Sequence, residues 1–256
     1  MSIAEVTLPV SATPGIPMRR VVSVEVRKLV DTRAGRWLLI AIAVITLAVV
    51  VVVYLTVDPR QRTFATFTLA TGAPQGFLLP VLGIMSVTGE WTQRTALVSF
   101  TLVPGRGRIV AAKTMATVLV GLAALVLALT IAALATVLGG ESGAWRGFGT
   151  DTLGKLALLQ VIGVLQGLAF GLLFLNTAAA IVTYYVVPNA FTLVSGLWTA
   201  LAHAQPWIDL NVSQGRLFDG SAMASRQWAQ LATGVTIWVL VPFMLGVYRV
   251  LRAEVK

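Results

Sequence analysis

Three residue types that could support hydrolysis occur close together in the last quarter of the chain. His203 and Asp209 stand six residues apart, and Ser213 follows them, so a serine, histidine and aspartate arrangement for acyl transfer can be drawn. No sharp glycine-flanked turn of the kind that exposes a nucleophile surrounds Ser213, Ser221 or Ser225. The sequence therefore favours a polar surface role for His203, and it predicts no catalytic residue.

A second candidate for chemistry is the segment GRIVAAKT, residues 107–114, which differs from the phosphate-loop pattern GxxxxGK[ST] only at Ala112. A phosphate loop needs a buried strand before it and a soluble helix after it, so that backbone N–H groups point at the phosphates. Here a proline-containing loop precedes the segment and an apolar span follows it. The sequence therefore predicts that this chain does not bind nucleotide.

The longest polar segment between two apolar spans is GEWTQRTALVSFTLVPGRGRIVAAK, residues 89–113. Its basic residues are Arg94, Arg106, Arg108 and Lys113, and its one acid is Glu90. Its apolar residues include Leu97, Val98, Phe100 and Leu102. A loop that keeps both apolar and charged residues is expected to meet a partner that buries the former and pairs with the latter.

Composition indicates an integral membrane protein. Apolar residues make up 57% of the 256 residues and charged residues 11%, a balance outside the range of ordinary soluble domains. The net charge of +9 comes from basic residues spread around apolar segments, so it does not indicate nucleic-acid binding, which needs a basic face. With no cysteine and one histidine, no disulfide and no thiolate metal site are expected.

Six apolar segments have about the 20 residues needed to cross a bilayer. They cover residues 37–57, 69–88, 114–138, 153–176, 177–201 and 228–251. The sequence thus predicts an all-α, multi-pass membrane protein with its transmembrane domain over residues 37–256. An outer segment, residues 202–227, is expected between the last two spans.

Two spans contain residues that should disturb or tighten helix packing. The second has Pro74 and Pro80 together with several glycines, so its outer half is expected to be kinked or irregular. Gly83 is expected only to add to this looseness. In the fourth span a glycine repeats every fourth residue from Gly163 to Gly171, which predicts close packing against another helix, in this chain or in a second copy.

Residues 1–36 precede the first span. Residues 1–18 contain three prolines and no basic residue, which predicts a disordered tail, not a secretory signal. In residues 19–36 one helical face is apolar and the other is polar, which predicts an amphipathic helix in the membrane interface, with a plain linker as the alternative. The apolar face has Val22, Val26, Leu29 and Val30, and the polar face has Arg20, Arg27, Lys28 and Asp31.

The distribution of basic residues predicts the orientation. Thirteen Lys and Arg residues lie in the N-terminal region, the 89–113 segment and the C-terminal tail, and six lie in the alternate polar segments. The positive-inside rule therefore places both termini and residues 89–113 in the cytoplasm.

No charged residue is expected deep in any span. Lys155 falls within the fourth predicted span, but it lies near the end of that span. The polar residues at depth are Gln75, Gln160, Gln166, Asn176 and Asn189. Such amides are more often interhelical hydrogen-bond partners than ligands. Ion-coupled carriers usually keep an ionisable residue near the midplane, so any transport by this chain is expected to be powered by another subunit.

Two of these stretches resemble the membrane subunit of type-2 ABC exporters, a family that includes bacterial drug, sodium, lipid and polysaccharide exporters. One is the amphipathic opening EVRKLVDTR. The other is the 89–113 segment, which is similar to the family's acidic residue after span two, its short helix, its proline and arginine pair, and its alanine and lysine entering span three. With six spans and both ends inside, the resemblance extends over essentially the whole chain.

The resemblance implies that residues 92–103 form a coupling helix docked into a separate ABC-type ATPase subunit, which would bind ATP and Mg²⁺. This chain would bind no cofactor or metal. The coupling residues would be Glu90, Arg94, Thr95, Leu97, Val98, Phe100, Leu102, Pro104 and Arg106. The connecting helix would be residues 19–36, including Glu25, Lys28, Leu29 and Arg33. Short helices dipping back toward the membrane are expected in residues 202–227.

The expected function is therefore that of the permease of an ATP-driven exporter in the bacterial cytoplasmic (inner) membrane, moving an apolar or amphipathic drug, lipid or peptide. Because six helices scarcely enclose a wide route, a dimer with a second copy or a homologous permease is expected. Helices broken by proline and glycine at depth often line a cavity. The candidate pathway residues are Phe77, Leu78, Leu82, Met85, Tyr184, Asn189 and Phe191. The alternatives are a non-transporting membrane anchor or assembly subunit, and a membrane-embedded enzyme.

Overall fold

The computed structural model describes residues 16–93, 105–146, 149–198, 201, 203–218 and 222–252. Every regular element in these ranges is helical. Six helical segments in them are long and apolar enough to span a membrane: Arg33–Thr56, Phe64–Thr92, Arg106–Gly139, Asp151–Phe174, Thr177–Leu197 and Ser225–Arg252. The prediction of an all-helical, multi-pass membrane protein with six candidate spans is confirmed.

The helices are numbered here in chain order. They are α1 (Met18–Asp31), α2 (Arg33–Thr56), α3 (Phe64–Thr92), α4 (Arg106–Gly139), α5 (Thr150–Phe174), α6 (Thr177–Leu197), α7 (Gln205–Ile208), α8 (Leu210–Gly215), α9 (Ser225–Val235) and α10 (Val241–Arg252). A short 3-10 helix, Pro59–Gln61, lies between α2 and α3, and a π-helical segment, Thr236–Leu240, joins α9 to α10.

Helix α1 covers most of the predicted N-terminal helix, but its buried face differs from the predicted one. Its buried residues are Val21, Glu25 and Leu29, which are spaced by four and therefore share one face. Val30, predicted on the apolar face, is 42% exposed, whereas Glu25 is 5% exposed. Glu25 lies on the buried face because it forms an ion pair with Lys113, whose side chain is also buried.

Helix α3 is the centre of the bundle and has the largest buried fraction among the candidate spans. Pro74 and Pro80 both lie inside it, yet the helix is continuous from Phe64 to Thr92. Of the two predicted disturbances, a kink or irregular backbone, the irregular backbone is therefore not found. Neighbouring helices can stabilise a proline-containing span because they hold the local backbone from several sides.

The closest helix pair is α3 with α5, and glycines permit it. A Cβ atom added to Gly83 would lie 2.5 Å from the Val164 carbonyl oxygen, and one added to Gly167 would lie 2.1 Å from the Pro80 carbonyl oxygen. The two backbones are therefore in direct contact, and the glycine repeat of α5 packs within one chain. The prediction that Gly83 merely loosens span two is wrong, because its missing side chain makes room for α5.

The last span has two parts with different neighbours. Its N-terminal part packs near α8, since a Cβ atom added to Gly234 would lie 3.0 Å from the Ser213 hydroxyl. Its C-terminal part packs on α5, since a Cβ atom added to Gly246 would lie 2.5 Å from Cβ of Leu172. The π-helical segment Thr236–Leu240 lies between these two contacts, and the sequence reasoning did not predict it.

Candidate functional site

Four charged side chains from three helices meet at one end of the bundle, and we name them the charge cluster: Glu25, Lys28, Glu90 and Lys113. Lys113 Nζ lies 2.7 Å from Glu25 Oε2 and 2.9 Å from Glu90 Oε1. Lys28 Nζ lies 2.8 Å from Glu25 Oε1 and 2.7 Å from Glu90 Oε1. Each lysine therefore bridges both carboxylates, and the cluster has no net charge.

The charge cluster is largely removed from solvent. The side chains of Glu25 and Lys113 are each 7% exposed, that of Glu90 14% and that of Lys28 38%. Burial works against the charged form of Lys28, but hydrogen bonds and attraction from Glu25 and Glu90 outweigh burial and raise the pKa of Lys28. Lys113 also donates to the Ser86 carbonyl oxygen at 3.1 Å. Buried charges of this kind are tolerated only when they are paired and hydrogen-bonded.

Two members of the charge cluster, Glu90 and Lys113, come from opposite ends of the polar segment, residues 89–113. Glu90 is in the last turn of α3, which continues to Thr92, and Lys113 is inside α4, which begins at Arg106. Helix therefore occupies both ends of the predicted 89–113 loop, over residues 89–92 and 106–113. The predicted coupling residues Arg94, Thr95, Leu97, Val98, Phe100, Leu102 and Pro104 lie outside the described residues.

Arg106, also predicted in the coupling loop, binds the end of the last helix. Its Nη1 donates to the carbonyl oxygens of Val250 and Leu251, both at 3.1 Å. The final carbonyls of a helix have no partner within the helix, so a basic side chain that bonds them stabilises that end. The start of α4 is thereby tied to the end of α10.

The predicted connecting-helix residues divide between core and surface. Glu25 and Lys28 belong to the charge cluster, and Leu29 is 6% exposed in a core cluster with Leu79 and Leu82. Arg33 begins α2 and is exposed. The chain turns sharply just before it, since the Thr32 side chain accepts a hydrogen bond from the Gly35 amide and caps α2.

A cavity of about 1070 Å³ lies between α1, the start of α2 and the C-terminal end of α3; we name it the interfacial cavity. Its wall includes the charge cluster together with Leu82 and Met85. The sequence placed those two residues on a pathway with Phe77. The structure instead separates them from Phe77, because they lie one to two helical turns further along α3 and face α1.

A second cavity, of about 350 Å³, lies between α3, α5, α6 and α8; we name it the outer cavity. Three of the predicted pathway residues, Phe77, Tyr184 and Asn189, line it. Gln166 also lines it, is 6% exposed and makes no side-chain hydrogen bond to a described residue. Its wall therefore combines aromatic faces with a buried amide that is available to a ligand.

Aromatic contacts hold the wall of the outer cavity. The Phe77 and Tyr185 rings stack with centroids 4.5 Å apart, and the Tyr185 hydroxyl donates to the Phe77 carbonyl oxygen. The two other predicted residues lie elsewhere: Leu78 packs on the core cluster next to α1, and Phe191 lies beside Trp238 with centroids 5.6 Å apart. Of the amides at depth, Gln75 makes the interhelical bond expected of it, to the Ala124 carbonyl oxygen at 2.9 Å.

The residues that could have formed a hydrolytic triad have other roles. Asp209 is 1% exposed, and its Oδ1 caps α8 by accepting from the Asn211 and Val212 amides at 2.9 and 3.3 Å. Ser213 donates to the Leu210 carbonyl oxygen, and His203 is exposed. Asp209 also accepts from the Thr192 hydroxyl at 3.1 Å. It therefore ties the outer segment to α6, a role that sequence reasoning missed; the aspartate just before a short helix was the available signal.

Within the part of the chain that the structure describes, no three His, Asp or Glu side chains group closely enough to hold a metal ion. The two features that remain as functional candidates are the charge cluster and the outer cavity. Comparison with protein-family models and with curated proteins gives no match for this chain.

Proposed function

We propose that this chain is the permease subunit of an ATP-driven exporter of the ABC type, which moves an apolar or amphipathic substrate out of the cytoplasm and depends on a separate ATPase subunit. The observation that carries the proposal is the charge cluster. It links α1, the end of α3 and the start of α4 by ion pairs of 2.7 to 2.9 Å. Residues 94–104, the proposed contact for the ATPase, come between α3 and α4 in the sequence, and both of these helices belong to the linked set.

The cluster supports force transmission for a physical reason. Breaking a buried ion pair by moving one partner away leaves an uncompensated charge, which costs about 3–5 kcal/mol. Helices α1, α3 and α4 therefore favour moving together when the segment between α3 and α4 is displaced. The α3 helix then passes directly to the outer cavity, which Gly72, Gly76 and Phe77 line.

The outer cavity is the proposed substrate contact. Aromatic rings offer flat apolar faces, and Gln166 and Asn189 offer amide groups without charge. Such a wall suits an uncharged or amphipathic molecule with an aromatic or other apolar face, which agrees with the drug, lipid or peptide class. A dimer remains part of the proposal, since α6 has much exposed apolar surface, including Leu193 and Leu197 at 65% and 77%. Lipid or a second copy can cover that surface.

The proposal is tested by capture: an ABC-type ATPase subunit is expected to co-purify with this chain from the cells that produce it. Leu97→Asp with Phe100→Asp is expected to weaken capture at least a hundredfold, because burying each side chain contributes about 1.5–3 kcal/mol and 1.4 kcal/mol is a factor of ten. The matched control, Ser99→Asp with Thr101→Asp, adds the same charge to the same segment and is expected to retain capture within about tenfold.

Both variants are compared as membrane-inserted, monodisperse protein, and ATP hydrolysis is measured with and without substrate. Undiminished capture by the Leu97 and Phe100 variant, with stimulated hydrolysis preserved, would show that residues 94–104 do not transmit the ATPase movement. Capture without any substrate that stimulates hydrolysis would favour the anchor or assembly role.

Orientation is tested separately by cysteine labelling, which is clean because the chain has no cysteine. Ser142→Cys lies in the exposed turn between α4 and α5, and it is expected to react with an impermeant maleimide added to intact cells. Ser99→Cys is expected to react only after the cells are opened, because the basic-residue count places residues 89–113 inside. Reversed accessibility would overturn both the orientation and the cytoplasmic ATPase contact.

A further inference from the structure

The interfacial cavity has an extensive apolar wall, and two basic side chains line it in addition to the charge cluster. Its apolar wall comes from α1, α3 and α4: Val21, Val24, Leu29, Leu82, Met85 and Ile109. It runs along α1 from Arg20 to Leu29, about 14 Å at 1.5 Å per residue, and continues to Arg33 at the start of α2. One acyl chain crosses half of a hydrocarbon core of about 30 Å, so the cavity is long enough for a lipid chain.

The charges around the cavity do not cancel. Four basic side chains and two acidic ones line it, and both acids, Glu25 and Glu90, are bound by the lysines of the charge cluster. The remaining two, Arg20 and Arg33, are exposed and make no side-chain ion pair or hydrogen bond to a described residue. The side chains that line the cavity therefore carry a net positive charge. Arg20 and Arg33 present planar guanidinium groups, whose N–H donors match the oxygens of a phosphate.

We propose that the interfacial cavity binds one anionic phospholipid of the surrounding membrane, with an acyl chain along the wall formed by α1 and α3 and a phosphate paired with Arg20 or Arg33. Basic cavities between helices at a membrane surface bind anionic headgroups on this principle. The amphipathic α1 supports this occupant, because a helix that lies in the interface keeps the cavity at the depth of headgroups and upper chains. The inference does not depend on an ATPase partner or on export.

The test is native mass spectrometry of the full chain released from nanodiscs of equal parts phosphatidylglycerol and phosphatidylcholine. The wild type is expected to retain one phosphatidylglycerol in preference to phosphatidylcholine. Arg20→Gln with Arg33→Gln is expected to reduce that preference at least about fivefold, the effect of one basic residue near a charged membrane surface. The matched control is Arg19→Gln with Arg27→Gln, which removes two exposed arginines of α1 that do not line the cavity. It is expected to keep the preference.

A second variant tests the apolar wall without changing charge. Val24 is 47% exposed and lines the cavity, so Val24→Trp should fill the space at low cost to folding and lower the retained lipid about tenfold, the effect of losing about 1.4 kcal/mol of acyl-chain burial. Equal loss of preference in both arginine pairs would show general surface attraction and overturn the built site. Unchanged lipid retention by Val24→Trp would also overturn it. Lipid retention only after removal of residues 2–15 would show that the chain's own N-terminal segment is the occupant.

Discussion

Lys113→Met is expected to lower the free energy of unfolding by about 3 kcal/mol, at the lower end of the range for breaking a buried ion pair. Lys113 contacts Glu25 and Glu90 at 2.7 and 2.9 Å, so its loss removes one of the two lysines that bridge these buried carboxylates. The effect is expected at the lower end because Lys28 still bridges both acids. The measurement is denaturant unfolding of the purified protein in micelles.

Two further variants separate charge from packing. Glu25→Gln combined with Lys113→Met removes one charge of each sign, so the double variant is expected to be more stable than Lys113→Met alone. Lys155→Met is the matched control, since Lys155 is also a buried lysine but Asp151, with which it forms an ion pair, is 69% exposed and can be hydrated. It is expected to cost about 1 kcal/mol or less. A Lys113 variant no less stable than the Lys155 variant would rule out the charge cluster as a stabilising link.

Gly167→Ala is expected to destabilise the protein by about 3 kcal/mol, the upper part of the usual range for overpacking. The added methyl carbon would lie 2.1 Å from the Pro80 carbonyl oxygen and 2.7 Å from the Pro80 carbonyl carbon. These are backbone atoms that cannot rotate away, so α3 and α5 must separate along their contact.

The control for this prediction is Gly163→Ala, one helical turn earlier on α5. Its added Cβ atom would meet Pro80 at an ordinary 3.9 Å, and alanine is favoured over glycine in a helix by about 0.8–1.0 kcal/mol. We therefore expect Gly163→Ala to be neutral or stabilising in the same unfolding measurement. A Gly167→Ala protein as stable as the Gly163→Ala protein would mean that the two helices are not in backbone contact.

The six spans could be predicted from sequence because length and apolar content are local properties. The charge cluster could not be, because its hydrogen bonds join residues 62 and 88 positions apart. The sequence pattern places Lys113 in the polar loop before span three. The residues next to Lys113 in the sequence do not show that α4 begins at Arg106. Glu25 carried a weak signal, since it lies four residues from both Val21 and Leu29 on the buried face.

The outer cavity was partly predictable for a related reason. Proline and glycine in α3 indicated a special span, and Phe77, Tyr184 and Asn189 do line one cavity. The same reasoning included Leu82 and Met85, which line the interfacial cavity instead. The sequence does not show at which residue of α3 the neighbouring helix changes from α6 to α1. Gly83 was misread because a glycine that loosens an isolated helix is also the residue that lets two backbones touch.

The π-helical segment of the last span sets the relative rotation of two packing surfaces. An α-helix turns by about 100° per residue, and a π turn accommodates one additional residue, so α10 is offset in phase from a straight continuation of α9. That offset lets Gly234 face α8 while Gly246 faces α5. The last span is therefore two interfaces in one helix, and the residue count between them keeps both faces aligned with their neighbours.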